Sequence, residues 1–371
     1  GLGFRLVMWG DGDESKSFHV PVTLLFFCLK LSKIGYIDIT IINMSSKPII
    51  VSGIQPTGNL HVGNYLGAVK NWVELQNSDK YEMYIFIADL HSLAGNMTAK
   101  ERHEQIIRTS AELIASGIDP DKTTLFVQSH VAEHTELAWI FNTVTPISEL
   151  ERMTQFKDKS QQQLKNINTG LFTYPILQAA DILLYGGQMV PVGQDQIQHV
   201  ELTRDIAKKF NKKYSKYFPE TKHLLTKIPK VMSLLEPEKK MSKSLGEGHV
   251  IELADEPNVI EKKLKKAVTA SGGGEGAPGV ENLLLLLKQF SSGDSYKDFE
   301  KAEKAGTIRY GDLKSEVGNA VAEYFAEFRE KRNELMMNHD ELAEILIAGA
   351  DKANPVASKT MEEVRKLVGI R

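Results

Sequence analysis

The stretch PTGNLHVGNYLGAV, residues 56–69, determines how the rest of the chain is interpreted. It opens with turn-forming residues and continues as a predicted helix that carries Gly63 and Gly67 near its start. Each glycine destabilises a helix interior by roughly 1 kcal/mol relative to alanine. Because residues i and i+4 lie on one helix face, the two absent side chains would leave a shelf for a flat or anionic ligand. The alternative is a tight contact between the helix and a sheet.

His61 stands at the beginning of this helix. N–H groups without intrahelical partners and the helix dipole favour a phosphate at such a position. The alternative is a histidine on the protein surface.

The neighbouring segments alternate between strand and helix patterns. Buried strands are predicted at 49–52, 84–88 and 124–128, and a helix that begins with the capping box Thr98–Glu101 lies between the second and the third. Such alternation predicts a parallel sheet with right-handed crossovers, in which ligands bind beyond the carboxyl ends of the strands. The predicted fold class is α/β, with a Rossmann-like parallel sheet as the catalytic domain.

The second half of the chain has a different pattern. The strand signal disappears after about residue 246, a glycine-rich loop is predicted at 271–279, and 341–350 and 360–368 follow the helical period. We therefore predict an N-terminal extension of doubtful function (1–43), a catalytic domain with nucleotide-binding signatures (44–245) and an all-helical C-terminal domain (246–371).

The amino-acid composition restricts the class of protein and the redox environment that can be expected. Of the 371 residues, 42% are hydrophobic and 25% are charged, which is typical of a globular chain with room for two cores. A formal charge of -3 excludes a generally basic coat for nucleic acid. Cys28 is the only cysteine, so the chain forms no internal disulfide, and a reducing, cytoplasmic setting is expected.

The apolar run 20–29 is too short to span a bilayer and follows acidic residues, so we predict neither a membrane span nor a signal peptide there. We expect 1–43 to be an upstream extension. The alternative is an extra strand or helix packed on the core.

A second segment, KKMSKS at 239–244, carries Lys240 and Lys243 with serines between and after them. Two ammonium groups with small hydroxyls suit a mobile clamp on a triphosphate. The alternative is a solvated charged face.

Together, HVGN (61–64) and KMSKS (240–244) resemble the paired signature of the class I aminoacyl-tRNA synthetases. Asn64 stands where the family's HIGH pattern ends in histidine, a form familiar in the tryptophanyl branch. The resemblance begins near Lys47, does not cover 1–43 and weakens after 244. Four further segments resemble the bacterial tryptophanyl members: GIQPTG (53–58), MTQFKDKS (153–160), VPVGQDQIQH (190–199) and VMSLLEP (231–237).

The resemblance implies that the chain activates L-tryptophan with ATP and transfers it to tRNA(Trp). The amino-acid carboxylate attacks the α-phosphorus, pyrophosphate leaves, and the tRNA 2′-hydroxyl takes the aminoacyl group. Since the nucleophile is already an anion, the first step needs alignment and charge stabilisation rather than a general base. Mg²⁺ would neutralise the phosphates, with few protein ligands.

The resemblance also implies a homodimer and a C-terminal domain that reads the anticodon. The alternatives are a tyrosyl-tRNA synthetase, a non-catalytic paralogue that binds tRNA or tryptophan, and a small-molecule nucleotidylyltransferase.

The same resemblance implies roles for individual residues. Lys240 and Lys243 would follow the departing pyrophosphate and act as catalytic residues together with Gln55 and Asn64. No protein metal ligand is expected. The residues expected to bind ATP are Gln55, Pro56, Thr57, His61, Gly63, Asn64, Gly193, Gln194, Asp195, Val231, Lys240, Met241, Ser242, Lys243 and Ser244.

Tyr174, Gln178 and Asp181 are spaced i, i+4 and i+7, on one face of a helix for which Pro175 suits the start. Asp181 lies among apolar residues, and a buried carboxylate needs a partner. An indole N–H can supply one, but so can a phenol O–H, so these residues alone do not choose between tryptophan and tyrosine. The alternative partner is a core hydroxyl or an arginine. The residues expected to bind tryptophan are Asp181, Tyr174, Gln178, Ser52, Gln55, Val190 and Val192.

Other polar and aromatic residues receive more ordinary interpretations. Trp72 and Trp139 are predicted to pack in the core, whereas Lys157 and Lys159 are either solvated or close to phosphate. The histidines predicted to be surface or satisfied core residues are His91, His103, His130, His134 and His199.

Overall fold

The computed structural model describes residues 3–8, 16–21, 47–153, 168–225, 228–269, 277–291 and 293–370. Lys157, Lys159 and most of the predicted loop at 271–279 lie outside these ranges. The chain forms two compact units, Gly1–Lys47 and Pro48–Arg371. The first contains an antiparallel pair of strands, β1 (Gly3–Met8) and β2 (Lys16–Pro21).

The second unit contains the sheet and the described helices. Its strands are β3 (Ile49–Ile54), β4 (Glu82–Ile87), β5 (Thr124–Val127), β6 (Met189–Val192) and β7 (Lys222–Leu225). Its helices are α1 (62–77), α2 (Asp89–Ser92), α3 (Ala99–Ala115), α4 (Glu133–Asn142), α5 (Ile147–Glu151), α6 (Thr169–Leu184), α7 (Ile197–Lys213), α8 (Pro257–Lys266), α9 (Pro278–Phe290), α10 (Ser295–Lys304), α11 (Tyr310–Tyr324), α12 (Ala326–Met337) and α13 (His339–Val368).

The five strands are parallel and lie in the order β5-β4-β3-β6-β7, which confirms the α/β fold class. The chain runs outward from β3 on one side and returns to place β6 on the other. A crevice opens at such a reversal of strand order, at the carboxyl ends of the strands, and the predicted ligand site follows from it. The predicted strands correspond to β3, β4 and β5.

Strands β6 and β7 were not predicted. Pro191 lies within the four residues of β6, and β7 begins with Lys222 and His223 at the edge of the sheet. Short strands with proline or polar residues lack the alternating signal that sequence reasoning uses, so pairing with neighbours decides their conformation.

Helix α1 begins with an α-helical turn, Val62–Asn64, passes through a π-helical turn, Tyr65–Val69, and continues as Lys70–Asn77. The π turn contains Gly67. Such turns occur as single irregularities in α-helices and are frequent at functional sites. The predicted glycine-bearing helix is confirmed, with this turn as an added feature.

Two predicted helix boundaries were wrong. Helix α6 begins at Thr169, where the Asn168 side chain accepts a hydrogen bond from the Leu171 N–H, and Pro175 therefore lies inside the helix. Capping decides where the helix starts. The two helices predicted at 341–350 and 360–368 are parts of the single helix α13, which continues through Pro355.

The hydrophobic core extends across the predicted boundary at 245/246. One cluster joins sheet residues such as Ile50 and Ile85 with Leu283 and Val317 from the helical half. A second joins the other face of the sheet with residues of α13. The boundary between the two predicted domains therefore stays a prediction within one compact unit.

Across the part of the chain that the structure describes, no helix combines the length and the apolarity that a membrane crossing requires.

Candidate functional site

A cavity of about 280 Å³ lies at the carboxyl ends of β3 and β6. Helix α6 forms the opposite wall, and the π turn of α1 contributes Gly67 and Ala68. Phe86, Trp72 and the valines give the cavity apolar sides. It brings together every residue expected to bind tryptophan: Ser52, Gln55, Tyr174, Gln178, Asp181, Val190 and Val192.

Asp181 is fully buried at the wall of this cavity and is held by three side chains. Gln128 Nε2 donates to Asp181 Oδ1 at 2.6 Å, and His134 Nδ1 donates to the same oxygen at 2.6 Å. His91 Nε2 donates to Oδ2 at 2.7 Å. The predicted partner was a core hydroxyl, an arginine or the substrate, but within the protein two histidines and an amide take that role.

These contacts keep Asp181 ionised. Burial opposes its ionisation, but the hydrogen bonds from His134 and His91 outweigh burial and hold the pKa of the carboxyl at about 2. A carboxylate offers about four acceptor positions, and three are used. Since Oδ1 accepts two hydrogen bonds and Oδ2 accepts one, Oδ2 can accept one more donor from the cavity.

The support continues behind the carboxylate. His134 Nε2 lies 2.9 Å from the Tyr185 hydroxyl, and the Tyr185 ring stacks on Tyr84 at 4.7 Å between centroids. On the cavity side, the Tyr174 hydroxyl lies 2.9 Å from His199 Nε2. His134 is a satisfied core residue, as predicted, and His199 is buried in the core with its Nε2 against the Tyr174 hydroxyl.

A larger cavity of about 790 Å³ adjoins the first. The two share Gly67, Ala68, Gly193 and Gln196, so the glycine shelf lies between them. A Cβ added to Gly67 would have no neighbour within 4 Å, which leaves that shelf open. Of the residues expected to bind ATP, this cavity is lined by His61, Gly63, Asn64, Gly193, Gln194, Asp195, Val231, Lys240, Met241 and Ser242.

His61 caps α1 and does not stand on the surface. Its Nδ1 accepts from the Gly63 N–H at 3.1 Å, and the Asn64 side chain accepts from the His61 N–H at 3.2 Å. The first N–H groups of the helix therefore have partners, and the predicted set of free N–H donors for phosphate was wrong. Burial, followed by the charges of Lys243 and Lys240, lowers the pKa of His61 to about 4. A neutral ring that accepts at Nδ1 carries its proton on Nε2.

The two signature segments lie against each other. An antiparallel bridge pairs His61 with Glu252, just beyond the second signature. The Met241 Cβ lies 3.5 Å from the position of a Cβ on Gly63, and the Lys243 ammonium donates to the Asn59 carbonyl. The chain thus assembles one cavity wall from segments about 180 positions apart, as the sequence predicts.

The two lysines differ in position. Lys240 is exposed, lines the larger cavity and has its Nζ 3.8 Å from Asp195 Oδ2. Lys243 lines neither cavity; besides Asn59 it has Glu252 Oε1 at 3.7 Å from its Nζ. Burial lowers the pKa of Lys243, while Glu252 and Glu112 counteract that effect. Gln55 lines the smaller cavity, whereas Pro56, Thr57 and Ser244 line neither.

Sequence reasoning missed several residues that line these cavities or hold Asp181 from behind. Gln128 and His134 lie about 50 positions from Asp181, and no local spacing connects them. Lys230 and Gln196 line the larger cavity. Lys230 directly precedes VMSLLEP (231–237) and Gln196 lies within VPVGQDQIQH (190–199), and these positions were the available signal. Trp139 is 70% exposed, so the prediction that it packs in the core was wrong.

Comparison with known proteins gives a consistent result. Residues 43–326 match the family described as tRNA synthetases class I (W and Y). A tryptophan–tRNA ligase of Clostridium tetani is 43% identical over 336 residues, which cover 88% of this chain and 98% of that protein. A tryptophan–tRNA ligase of Oceanobacillus iheyensis is 46% identical over 328 residues, with 86% and 98% covered.

Solved structures agree with the sequence comparison. Tryptophanyl-tRNA synthetase from Campylobacter jejuni, complexed with ADP and tryptophan, has a TM-score of 0.76 and 34% identity and covers 86% of this chain and 99% of that one. The enzyme from Mycoplasma pneumoniae has a TM-score of 0.78 and 33% identity, with 88% and 98% covered.

Proposed function

The chain belongs to the class I tRNA synthetases of the tryptophan and tyrosine branch, and from this premise we propose how its two cavities perform tryptophan–tRNA ligation. ATP, L-tryptophan and tRNA(Trp) are the partners of this reaction. The relatives described above are tryptophan ligases, which favours tryptophan over the tyrosyl alternative.

The adjoining cavities carry the assignment of the two small substrates. We propose that tryptophan occupies the 280 Å³ cavity and ATP the 790 Å³ cavity, because the first has apolar walls and one buried carboxylate while the second carries Lys230 and Lys240. Their shared edge at Gly67 and Gly193 would be the place where the tryptophan carboxylate meets the α-phosphate. The Campylobacter jejuni enzyme bound to ADP and tryptophan supports this pairing of ligands.

Asp181 is proposed to receive the indole N–H at the remaining position of Oδ2. Tyr174 and Gln178 lie on the same helix face, and Val190 and Val192 would pack against the ring. Because the carboxylate is ionised and fully buried, it discriminates against ligands without a donor at that point.

Catalysis is proposed to rest on alignment and on the two lysines. Lys240, already at the cavity wall, would contact the phosphates, with Gln55 and Asn64 placed around the reacting groups. Lys243 would leave Asn59 and follow the departing pyrophosphate. The carboxylate oxygen forms a bond to the α-phosphorus as the bond to pyrophosphate breaks, and charge stabilisation lowers the barrier.

Mg²⁺ is proposed to arrive with ATP. Asp195 is the acidic side chain on the wall of the larger cavity, so the phosphates would supply most oxygen ligands.

Pyrophosphate exchange into ATP tests the assignment. Exchange should require tryptophan, and none of the other standard amino acids should replace it. Exchange driven by tyrosine alone would overturn the tryptophan assignment. Tight tryptophan binding without exchange at any Mg²⁺ concentration would favour a non-catalytic paralogue.

The helical region 246–371 is proposed to bind the anticodon, and region 44–245 is proposed to catalyse the reaction. The proposed location of the protein is the cytoplasm. Residues 1–43 are proposed to be dispensable, so that their deletion leaves exchange intact.

A homodimer is proposed as well. Trp139 (70% exposed) and Leu93 (57% exposed) line an apolar groove of about 350 Å³ between α4 and α6. A second copy of the chain would cover these side chains. Light scattering should give a mass twice that of one chain for the wild-type protein and the mass of a single chain for Trp139→Glu. A monomeric wild-type protein would refute the proposal.

A further inference from the structure

The turn that precedes helix α1 is held from outside by a group of charged side chains. The Leu60 N–H donates to Glu112 Oε2 at 2.6 Å, and Arg332 Nε donates to Glu112 Oε1 at 3.1 Å. Glu112 is fully buried on α3, whereas Arg332 comes from α12 in the helical half of the chain. One carboxylate thus connects the backbone beside His61 to the C-terminal helices.

Asn59, the preceding residue, is held in the same way. Its Nδ2 donates to Glu252 Oε2 at 2.6 Å, and its Oδ1 accepts from Arg108 Nη1 at 3.0 Å. Its carbonyl accepts from Lys243. The polar groups of this turn are therefore fixed by residues from three separate segments.

The two oxygens of Glu112 face groups that can only donate. A backbone N–H and a guanidinium have no acceptor, so the arrangement suits the ionised carboxylate. Burial raises the pKa of Glu112, while Leu60 and Arg332 act in the opposite direction. Without Arg332 the buried carboxylate would lose its direct cationic partner, and buried charges need such partners.

We propose that Glu112 and Arg332 are positioning residues for ATP, which hold the Leu60 backbone so that His61, Gly63 and Asn64 keep their places in the larger cavity. This inference rests on the proposed function, namely that ATP binds in that cavity. It makes ATP affinity depend on the position of α12, so the helical half of the chain acts on the nucleotide site through one ion pair. Neither residue lines either cavity, and both act through the Leu60 backbone.

Glu112→Gln and Arg332→Gln test the inference. In Glu112→Gln, the new side chain keeps an oxygen for the Leu60 N–H but places an amide N–H₂ group against the Arg332 guanidinium. We expect each variant to raise the KM for ATP about tenfold in pyrophosphate exchange, because substitutions along a connected series of contacts change binding at a second site by about this factor. The KM for tryptophan should stay unchanged. Arg332→Lys, which keeps the charge, should recover part of the loss.

The double variant provides a second criterion. If the pair acts as one unit, Glu112→Gln with Arg332→Gln should raise the KM for ATP no further than either single change. The Arg332 side chain is 16% exposed, whereas the Glu112 side chain is 1% exposed. Substitution of Arg332 therefore disturbs the core less, and the Arg332 variants test the inference even if Glu112→Gln fails to fold.

Arg365→Gln is the matched control. Arg365 pairs with Glu136 and so joins α13 to α4, as Arg332 joins α12 to α3, but it contacts no residue of the turn. It should lower the thermal stability and leave the KM for ATP unchanged. If the Glu112 and Arg332 variants behave like this control, the pair is merely structural and the inference is wrong. A wild-type protein without tryptophan-dependent exchange would instead overturn the proposed function.

Discussion

Asp181→Asn tests the chemistry of the smaller cavity. Asparagine keeps the shape of the side chain but replaces one carboxylate oxygen by an amide N–H₂ group. Oδ1 can still accept from Gln128 and His134, and the amide can donate to His91 if that ring changes its tautomer. The buried network therefore survives, whereas the acceptor position offered to the indole N–H becomes a donor.

The size of the effect follows from this count of donors and acceptors. A hydrogen bond to a charged group contributes about 1.5–3 kcal/mol. Since each 1.4 kcal/mol is a factor of ten, loss of one such bond should weaken tryptophan binding about ten- to 150-fold. ATP affinity should stay unchanged, because Asp181 does not line the larger cavity.

Isothermal titration calorimetry with tryptophan and with ATP, each alone, measures both affinities. Asp89→Asn is the matched control: Asp89 is a buried aspartate that accepts from the Ser129 N–H at 3.0 Å and lines neither cavity. It should lower stability without changing tryptophan affinity. Equal tryptophan affinity in Asp181→Asn and wild type would refute the reasoning.

Three other changes give separate tests. Lys243→Ala should lower the rate of exchange at least tenfold and leave the tryptophan affinity unchanged, because its ammonium acts on phosphate in the transition state. Stopped-flow kinetics measures the rate and calorimetry measures the affinity; equal losses in the two quantities would contradict that role. His61→Gln should make the free energy of unfolding less sensitive to acid. Because the pKa of His61 in the folded protein is lowered to about 4, the neutral ring contributes stability above pH 6.5, and this contribution is lost as the pH falls towards 4. The difference amounts to roughly 3 kcal/mol, and identical urea unfolding at pH 7, 5.5 and 4 in both proteins would refute it. Gly67→Val would place its side chain in open space between the cavities, so calorimetry should show weaker binding of both ligands, and unchanged affinities would show that the shelf is not used.

The sequence predicted the site better than it predicted the packing around it. HVGN and KMSKS are short sequence motifs, and the structure places them side by side, with Met241 against Gly63. The residues expected around tryptophan likewise share one cavity. The partners of Asp181 could not be predicted, because Gln128 and His134 come from other elements and only the fold brings them to it.

Local rules also failed where tertiary contacts decide the outcome. The cap at His61 satisfies the helix N–H groups that would otherwise await a ligand. The exposure of Trp139 depends on which face of α4 meets the sheet, and a tryptophan in an apolar stretch does not reveal that face. Strand β7 forms because β6 lies beside it.

The last helix of the chain, α13, packs along β5, and Gly349 meets the carbonyl of Leu125 with no room for a side chain between them. Residues from the final tenth of the sequence therefore complete the cover of a strand made in the first half. During synthesis the ribosome must release the segment that forms α13 before this face of the strand is fully shielded from water. Until then its apolar side chains are available to chaperones and to other nascent chains.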